Sequence, residues 1–227
     1  FAGVVTDLLV ADGLEIGQAK AKAQSAWAFG LTVSGVLIAV LAPVLGAVAD
    51  SRGRRMPWIW AFSVMYVVGA YGLWYTAPDQ FDVTRTLILF GIGLIGMEFA
   101  TIFTNAMLPG LGAKDDLGKI SGSGWAFGYI GGVLALALML LLFQAGDSGK
   151  TMAGIAPIFG LDPSTGADTR IVGPLTAIWY AVFMIPFFLW VRENPDPNHK
   201  PHTVAEALSG LRATLAGLPK HKSLFSY

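Results

Sequence analysis

The chain of 227 residues contains no cysteine, which excludes disulfides, thiolate nucleophiles and cysteine-based metal sites. Histidine is almost missing too. His199, His202 and His221 lie in one polar stretch near the C-terminus, at spacings of three and nineteen that read as solvated loop rather than ligands. Charge is scarce: 13% of residues are Asp, Glu, Lys or Arg, against roughly a quarter in soluble domains. The formal net charge is zero, so no basic excess points to nucleic acid. No cofactor or metal is expected.

What remains is apolar. Hydrophobic residues make up 54% of the chain, mean hydropathy is +0.60, and the charges are bunched between long apolar runs. A membrane-spanning helix needs about 20 such residues. A soluble fold would have to hide five runs of that length in a chain this short. The composition therefore predicts an all-α, multi-pass membrane protein.

Hydropathy places a partial span at about 1–10 and complete spans at about 27–49, 58–75, 86–108, 124–143 and 172–191. Each must be helical, because lipid offers an unpaired backbone no partner. Trp27, Trp58, Trp74, Tyr75, Trp125 and Trp190 fall near span ends, where aromatic belts sit. Residues 1–191 thus form an N-terminal transmembrane bundle. Residues 192–227 form a linker, broken by three prolines in "RENPDPNHKP", with an amphipathic helix over 203–215. In that helix Thr203 and Glu206 fit a capping box, and Val204, Leu208, Leu211 and Leu215 share a face. The chain opens on Phe1 and ends on "KSLFSY", so a piece of a longer protein is expected.

Lys and Arg orient the bundle. Segments after the second, fourth and sixth spans hold ten of the fifteen: Arg52, Arg54, Arg55, Lys114, Lys119, Arg192, Lys200, Arg212, Lys220 and Lys222. The opposite side holds Lys20, Lys22, Arg85, Lys150 and Arg170. The positive-inside rule puts the richer side, and with it the N-terminus and 192–227, in the cytoplasm, most simply at a cell (inner) membrane. Residues 144–171 become a long external loop, rich in Gly and Pro, that can carry a short dip or helix.

Three groups of residues carry the functional reading. In "GAVADSRGRRMPW", Asp50 ends a helix, Gly53 allows a sharp reversal, and Arg54 and Arg55 anchor the turn. Asp50 can pair with Arg54 or face a helix N-terminus, where the dipole favours an anion. Gly124 and Gly128 form a row four apart, extended by Gly132 and its neighbour Gly131. Such rows let helix backbones approach closely in lipid. The third group centres on Glu98, in the middle of "GIGLIGMEFATIFTNAMLP".

Glu98 lies twelve residues from Thr86 and ten from Leu108, close to the midplane. A charged carboxylate there costs from ~2.5 to more than ~10 kcal/mol, so exposure to lipid is excluded. At 100° per residue Thr101 and Asn105 share its side of the helix, giving a polar stripe. Three readings stay open: a proton-coupling or substrate-contacting carboxylate on a central cavity, a protonated group bonding the helix to a neighbour, or a partner for a cation outside this bundle. No Lys or Arg lies inside a complete span. Asp7 is a second candidate for the substrate or proton pathway, with a solvated outer-end residue as the alternative.

Gly46, Asp50, Gly53, Arg54 and Arg55 match the G-x-x-x-D-x-x-G-R-R/K turn between helices two and three of the major facilitator superfamily. "TNAMLPGL", "ISGSGWAFGYIGG", "FAGVVT" and "APVLGAVAD" resemble its vacuole effluxer-like family, relatives of the autophagy-associated vacuolar amino-acid exporter. The resemblance covers nearly the whole chain. It implies the N-terminal six-helix half of a twelve-span transporter, with part of the first helix and the whole second bundle lying outside this sequence. It further implies a small solute, amino acids by efflux, alternating access, and a latch at Asp50, Arg54 and Arg55; protons as coupling ion belong to the first reading of Glu98. The fifth span departs from the superfamily's antiporter motif: Tyr129 stands where that motif has proline, and Gly131–Gly132 come one residue early. No direction of transport is drawn from it. A non-transporting scaffold or receptor-like protein is the alternative. An enzyme is not expected, since the spans offer no His or Cys.

Overall fold

The computed structural model describes residues 1–146, 148–193 and 204–217. Among these residues no strand forms beyond one isolated bridge, Ala145 to Thr151. The helices are α1 (Ala2–Ala11), α2 (Ile16–Arg52), α3 (Met56–Gly72), α4 (Val83–Ala106), α5 (Leu117–Leu138), α6 (Ala167–Arg170), α7 (Val172–Trp190) and α8 (Val204–Gly217). Five of these helical segments are long and apolar enough to cross a membrane, and α1 is a shorter apolar helix. The chain is an all-α, multi-pass membrane protein.

Local chemistry sets the helix ends. Gly53 closes α2 in the left-handed region at φ 64°, which a residue with a Cβ rarely adopts. Pro57 stands in the first turn of α3, where its missing N–H costs nothing. At the start of α4 the Asp82 carboxylate accepts from the Arg85 N–H at 2.9 Å, satisfying one orphan donor. The α5 helix leaves its regular course at Met139–Phe143, a π turn.

The packed centre is the trio α3, α4 and α7. Glycine makes it possible. A Cβ added at Gly96 would sit 2.5 Å from the Tyr66 backbone nitrogen, and one at Gly173 2.5 Å from the Ala70 carbonyl oxygen. Gly69 meets the Gly93 backbone just as closely. Below these contacts, towards the Gly53 turn, Ala49, Ile59, Phe99, Phe103 and Met107 form a buried cluster. Phe62 stacks on Phe99 and Phe103 at centroid distances of 4.8 and 5.9 Å. The Ser63 and Tyr180 hydroxyls, 2.8 Å apart, pin α3 to α7.

Two of the expected belt aromatics serve the core instead. Trp58 is half-buried and stacks on Phe103 at 5.8 Å. Trp27, also half-buried, meets Phe90 at 4.5 Å. Trp125, Trp190 and Tyr75 are exposed.

The α2 helix has 37 residues, about 55 Å at 1.5 Å per residue, against ~30 Å of hydrocarbon. The excess lies at its start. Gly30 sits against Leu87, near the beginning of α4, so the turns before Trp27 reach past the α3–α4 connection. There α2 pairs with α1, burying Ala19, Ala23 and Val5. The α8 helix runs beside α2. The side chains of its proposed apolar face (Val204, Leu208, Leu211, Leu215) are not described, and the Thr203 cap lies with residues 194–203 outside the described residues.

Candidate functional site

The glycines of α4 decide where Glu98 points. Gly93 and Gly96 turn one side of the helix onto α3, and Phe99 and Phe103 fill the buried cluster. The remaining side carries Glu98, half-buried, with Thr101 and Asn105 exposed on the same stripe. Thr101 returns its hydroxyl to its own helix, donating to the Met97 carbonyl at 2.9 Å. Among the described residues Glu98 has no salt bridge, and neither Glu98 nor the Asn105 amide has a hydrogen-bond partner. The stripe read from the sequence is therefore present, with Glu98 and Asn105 unsatisfied among the described residues.

Below Glu98 the stripe opens into a cleft of about 330 Å³ between α4 and α5. Thr101, Thr104 and Asn105 form one wall; Ser121, Gly124, Trp125 and Gly128 form the other. The α5 glycines thus do something other than expected. Gly124, Gly128, Gly131 and Gly132 have open space where a Cβ would stand, so they make no close approach among the described residues. Among the described residues none from Leu117 to Leu138 is buried. The glycines that do bring helices together are Gly69, Gly96 and Gly173, which the four-residue spacing rule passed over because each meets backbone on a different helix. Ser121, Thr104 and Trp125 were also missed as cleft residues, since hydropathy alone does not say which faces meet.

Asp7 does not join this site. It is exposed on α1, on the part of the α1–α2 pair beyond Trp27, whose ring meets Phe1 at 5.2 Å.

The turn after α2 is built differently from the expected pairing. Asp50 bonds Arg55, at 2.7 Å, and Arg54 is exposed without a partner among the described residues. The reason is the register: after the left-handed Gly53, Arg55 folds back over the last turn of α2. The N-terminus of α3 is taken by Glu193, just after α7. One Glu193 oxygen accepts the Arg55 backbone N–H, and the other accepts the Met56 N–H at 3.1 Å. A carboxylate is well placed there, where orphan N–H groups and the helix dipole both favour an anion. Glu193 therefore ties the end of α7 to the α2–α3 turn. At 138 residues from Arg55, it left no signal in the sequence beyond its charge. Gly46 stands in open space one turn before Asp50.

At the other end of the bundle Arg170 donates to the Trp74 carbonyl at 2.7 Å and lies over the Trp74 ring at 5.1 Å, joining α6 to the end of α3. Among the described residues no group of three or more metal-ligating side chains occurs.

An all-α membrane bundle with an unpaired carboxylate near mid-helix over a cleft bearing a few polar groups, and a charged turn between two of its helices, has the outline of a solute-handling protein. The family model for "Vacuole effluxer Atg22 like" proteins matches residues 10–117 and 115–227. The chain belongs to this vacuole effluxer Atg22-like family, at the N-terminal half of the major facilitator fold. It is also 23% identical over 217 residues to a Bacillus subtilis (strain 168) protein called "Uncharacterized MFS-type transporter YxiO". That match takes in 94% of this chain and 47% of the relative, so the chain spans about half the length of the curated relative. No solved structure matches it.

Proposed function

We propose that this chain is the first half of a secondary active transporter that moves a small solute by alternating access. The observation that supports the reading best is Glu98: a half-buried carboxylate near mid-helix, with no partner among the described residues, one turn above a largely apolar cleft that carries a few hydroxyl and amide groups. Such a group in a membrane is costly and faces a wet or proton-exchanging path. Transporters of this architecture rock two bundles around a site at the bilayer midplane. In this reading Glu98, Thr101 and Asn105 face the path, protons are the coupling ion, and a second six-helix bundle completes it. Asp7 takes no part.

The solute proposed is an amino acid, moved by efflux. The effluxer description of the family supports this, and so does the cleft: Asn105, Thr101 and Ser121 offer neutral hydrogen-bonding groups at a volume suited to a small zwitterion. The basic turn and residues 192–227 lie on the cytoplasmic side, at the cell membrane. The test is transport by the full-length protein in proteoliposomes, with a panel of labelled amino acids and an imposed pH gradient. Accumulation of at least one solute, abolished by a protonophore, is expected. No flux for any solute, from a protein that is folded and correctly inserted, would favour a scaffold.

The Gly46, Asp50, Gly53 and Arg55 turn, with Glu193, serves as the conformational latch. Arg55→Gln removes the Asp50 partner and Glu193→Gln weakens the α3 cap, whereas Arg54→Gln breaks no bond among the described residues. Turnover is expected to fall by roughly fivefold or more for Glu193→Gln, whose part-buried charge-assisted bonds are worth about 1–2 kcal/mol, and by about two- to fivefold for Arg55→Gln, whose exposed ion pair is worth about 0.2–1 kcal/mol. Arg54→Gln should fall less. Equal losses for Arg54 and Arg55, or effects confined to KM, would count against the latch as drawn.

A further inference from the structure

The connection between α5 and α6 holds its most apolar side chains away from the protein. Phe159 is 83% exposed, Met152 76% and Ile155 44%. The run from Thr151 to Leu161 contains no charged residue, while Lys150 and Asp162 flank it. Three exposed apolar side chains in a polar loop would be a liability in water.

The segment is well anchored. The π turn at the end of α5 leaves the Leu140 carbonyl free to accept the Met152 N–H at 3.1 Å. Thr151 donates to the Ile155 carbonyl at 2.8 Å, and Gly146 to the Lys150 carbonyl at 2.9 Å. The buried Asp168 carboxylate accepts the Ala145 N–H at 3.0 Å from the start of α6. Pro157 is buried. On this scaffold Phe159 takes a left-handed conformation, φ 61°, the one such non-glycine residue among those described. For a bulky side chain that is strained. Its ring touches the structure at Phe143, the last residue of the π turn, at a centroid distance of 6.1 Å. Leu136, Leu138 and Leu141, in the last turns before it, are exposed apolar residues as well.

We propose that residues 151–161 form a membrane-surface anchor, with Phe159, Met152 and Ile155 inserted into the lipid interface of the leaflet opposite the Gly53 turn. The occupant is lipid because the patch follows directly on the exposed apolar end of a helix long enough to cross the membrane, and is uncharged between flanking Lys150 and Asp162. That arrangement lets an apolar tip enter the acyl boundary while the charges stay with headgroups. The anchor holds the π turn and α6 at the level of the interface and does not depend on what the protein transports.

The chain has no cysteine, so single nitroxide labels at Phe159→Cys and Met152→Cys report cleanly once any cysteines elsewhere in the full-length protein are replaced. The protein is reconstituted in phosphatidylcholine vesicles, with Ser164→Cys, exposed in the same connection, as the reference. Labels at 159 and 152 are expected to be accessible to oxygen and shielded from a water-soluble nickel complex. Their oxygen-to-nickel ratio should be several-fold above that at 164. Nickel accessibility at 159 and 152 equal to that at 164 would place the loop in water and overturn the anchor. Shielding from both reagents would also overturn it, in favour of a protein surface covering the patch.

Discussion

Glu98→Gln in the full-length protein is expected to reduce pH-gradient-driven transport to below about a tenth of wild type, with membrane insertion and yield unchanged. The substitution keeps the shape and hydrogen-bonding capacity of a protonated carboxyl group but removes its ability to exchange a proton. Glu98 has no salt bridge or hydrogen-bond partner among the described residues, so the neutral amide breaks no contact within this bundle. Removing a lone carboxylate from the membrane should even ease insertion, since an Asp costs ~2.5 kcal/mol or more at the centre of a span. The informative measurement separates coupling from binding. Solute counterflow, which needs no proton gradient, is expected to survive in the variant while gradient-driven accumulation is lost. Retained pH-gradient dependence would reject the coupling role. Loss of folded protein would instead point to a structural bond from Glu98 to a neighbouring helix, and rescue by Asp but not Gln would point to a cation beyond this half.

The largest effect on folding is expected at Gly96. A Cβ there would lie 2.5 Å from the Tyr66 nitrogen and 2.8 Å from the Phe62 carbonyl oxygen, both backbone atoms of a packed helix. Neither can swing aside, so α3 and α4 must separate, pulling Phe62 from its stack on Phe99. Overpacking of this kind costs about 1–3 kcal/mol for each added group, a large part of a total stability of about 5–15 kcal/mol. Gly96→Val should therefore abolish the monodisperse folded species seen by size exclusion in detergent, and Gly96→Ala should lower its thermal midpoint markedly. Gly128→Ala, with open space around it, should leave that midpoint within a degree or two. Equal sensitivity at Gly96 and Gly128 would show that the packing of α5 resembles that of α4, against the arrangement described.

The helices themselves were legible because a chain in lipid has one local way to satisfy its backbone. Residues 86–108, read as a span, lie within α4 and the short turn after it, and the polar stripe followed from 100° per residue. The Gly53 reversal was legible for a similar reason: a left-handed residue is a local requirement. The partners of the turn were not. Arg54 and Arg55 are adjacent, and only the direction in which the chain leaves Gly53 brings Arg55 rather than Arg54 to Asp50. The same holds for Trp27 and Trp58, whose position along the chain did not show that their rings pack against Phe90 and Phe103.

The sequence by itself determined that this protein is a membrane bundle, where its helices run, and that Glu98 sits uncompensated near mid-helix. These are consequences of hydropathy, backbone hydrogen bonding and helical period, all local along the chain. Only the tertiary structure decided that Glu193 caps α3 from 138 residues away, and that Gly69, Gly96 and Gly173, rather than the α5 row, bring helices together. It alone showed that Gly124 and Gly128 face a cleft with Thr101 and Asn105. Each of those depends on which helix faces meet, and in a chain whose helices are apolar all round, hydrophobicity does not distinguish one face from another.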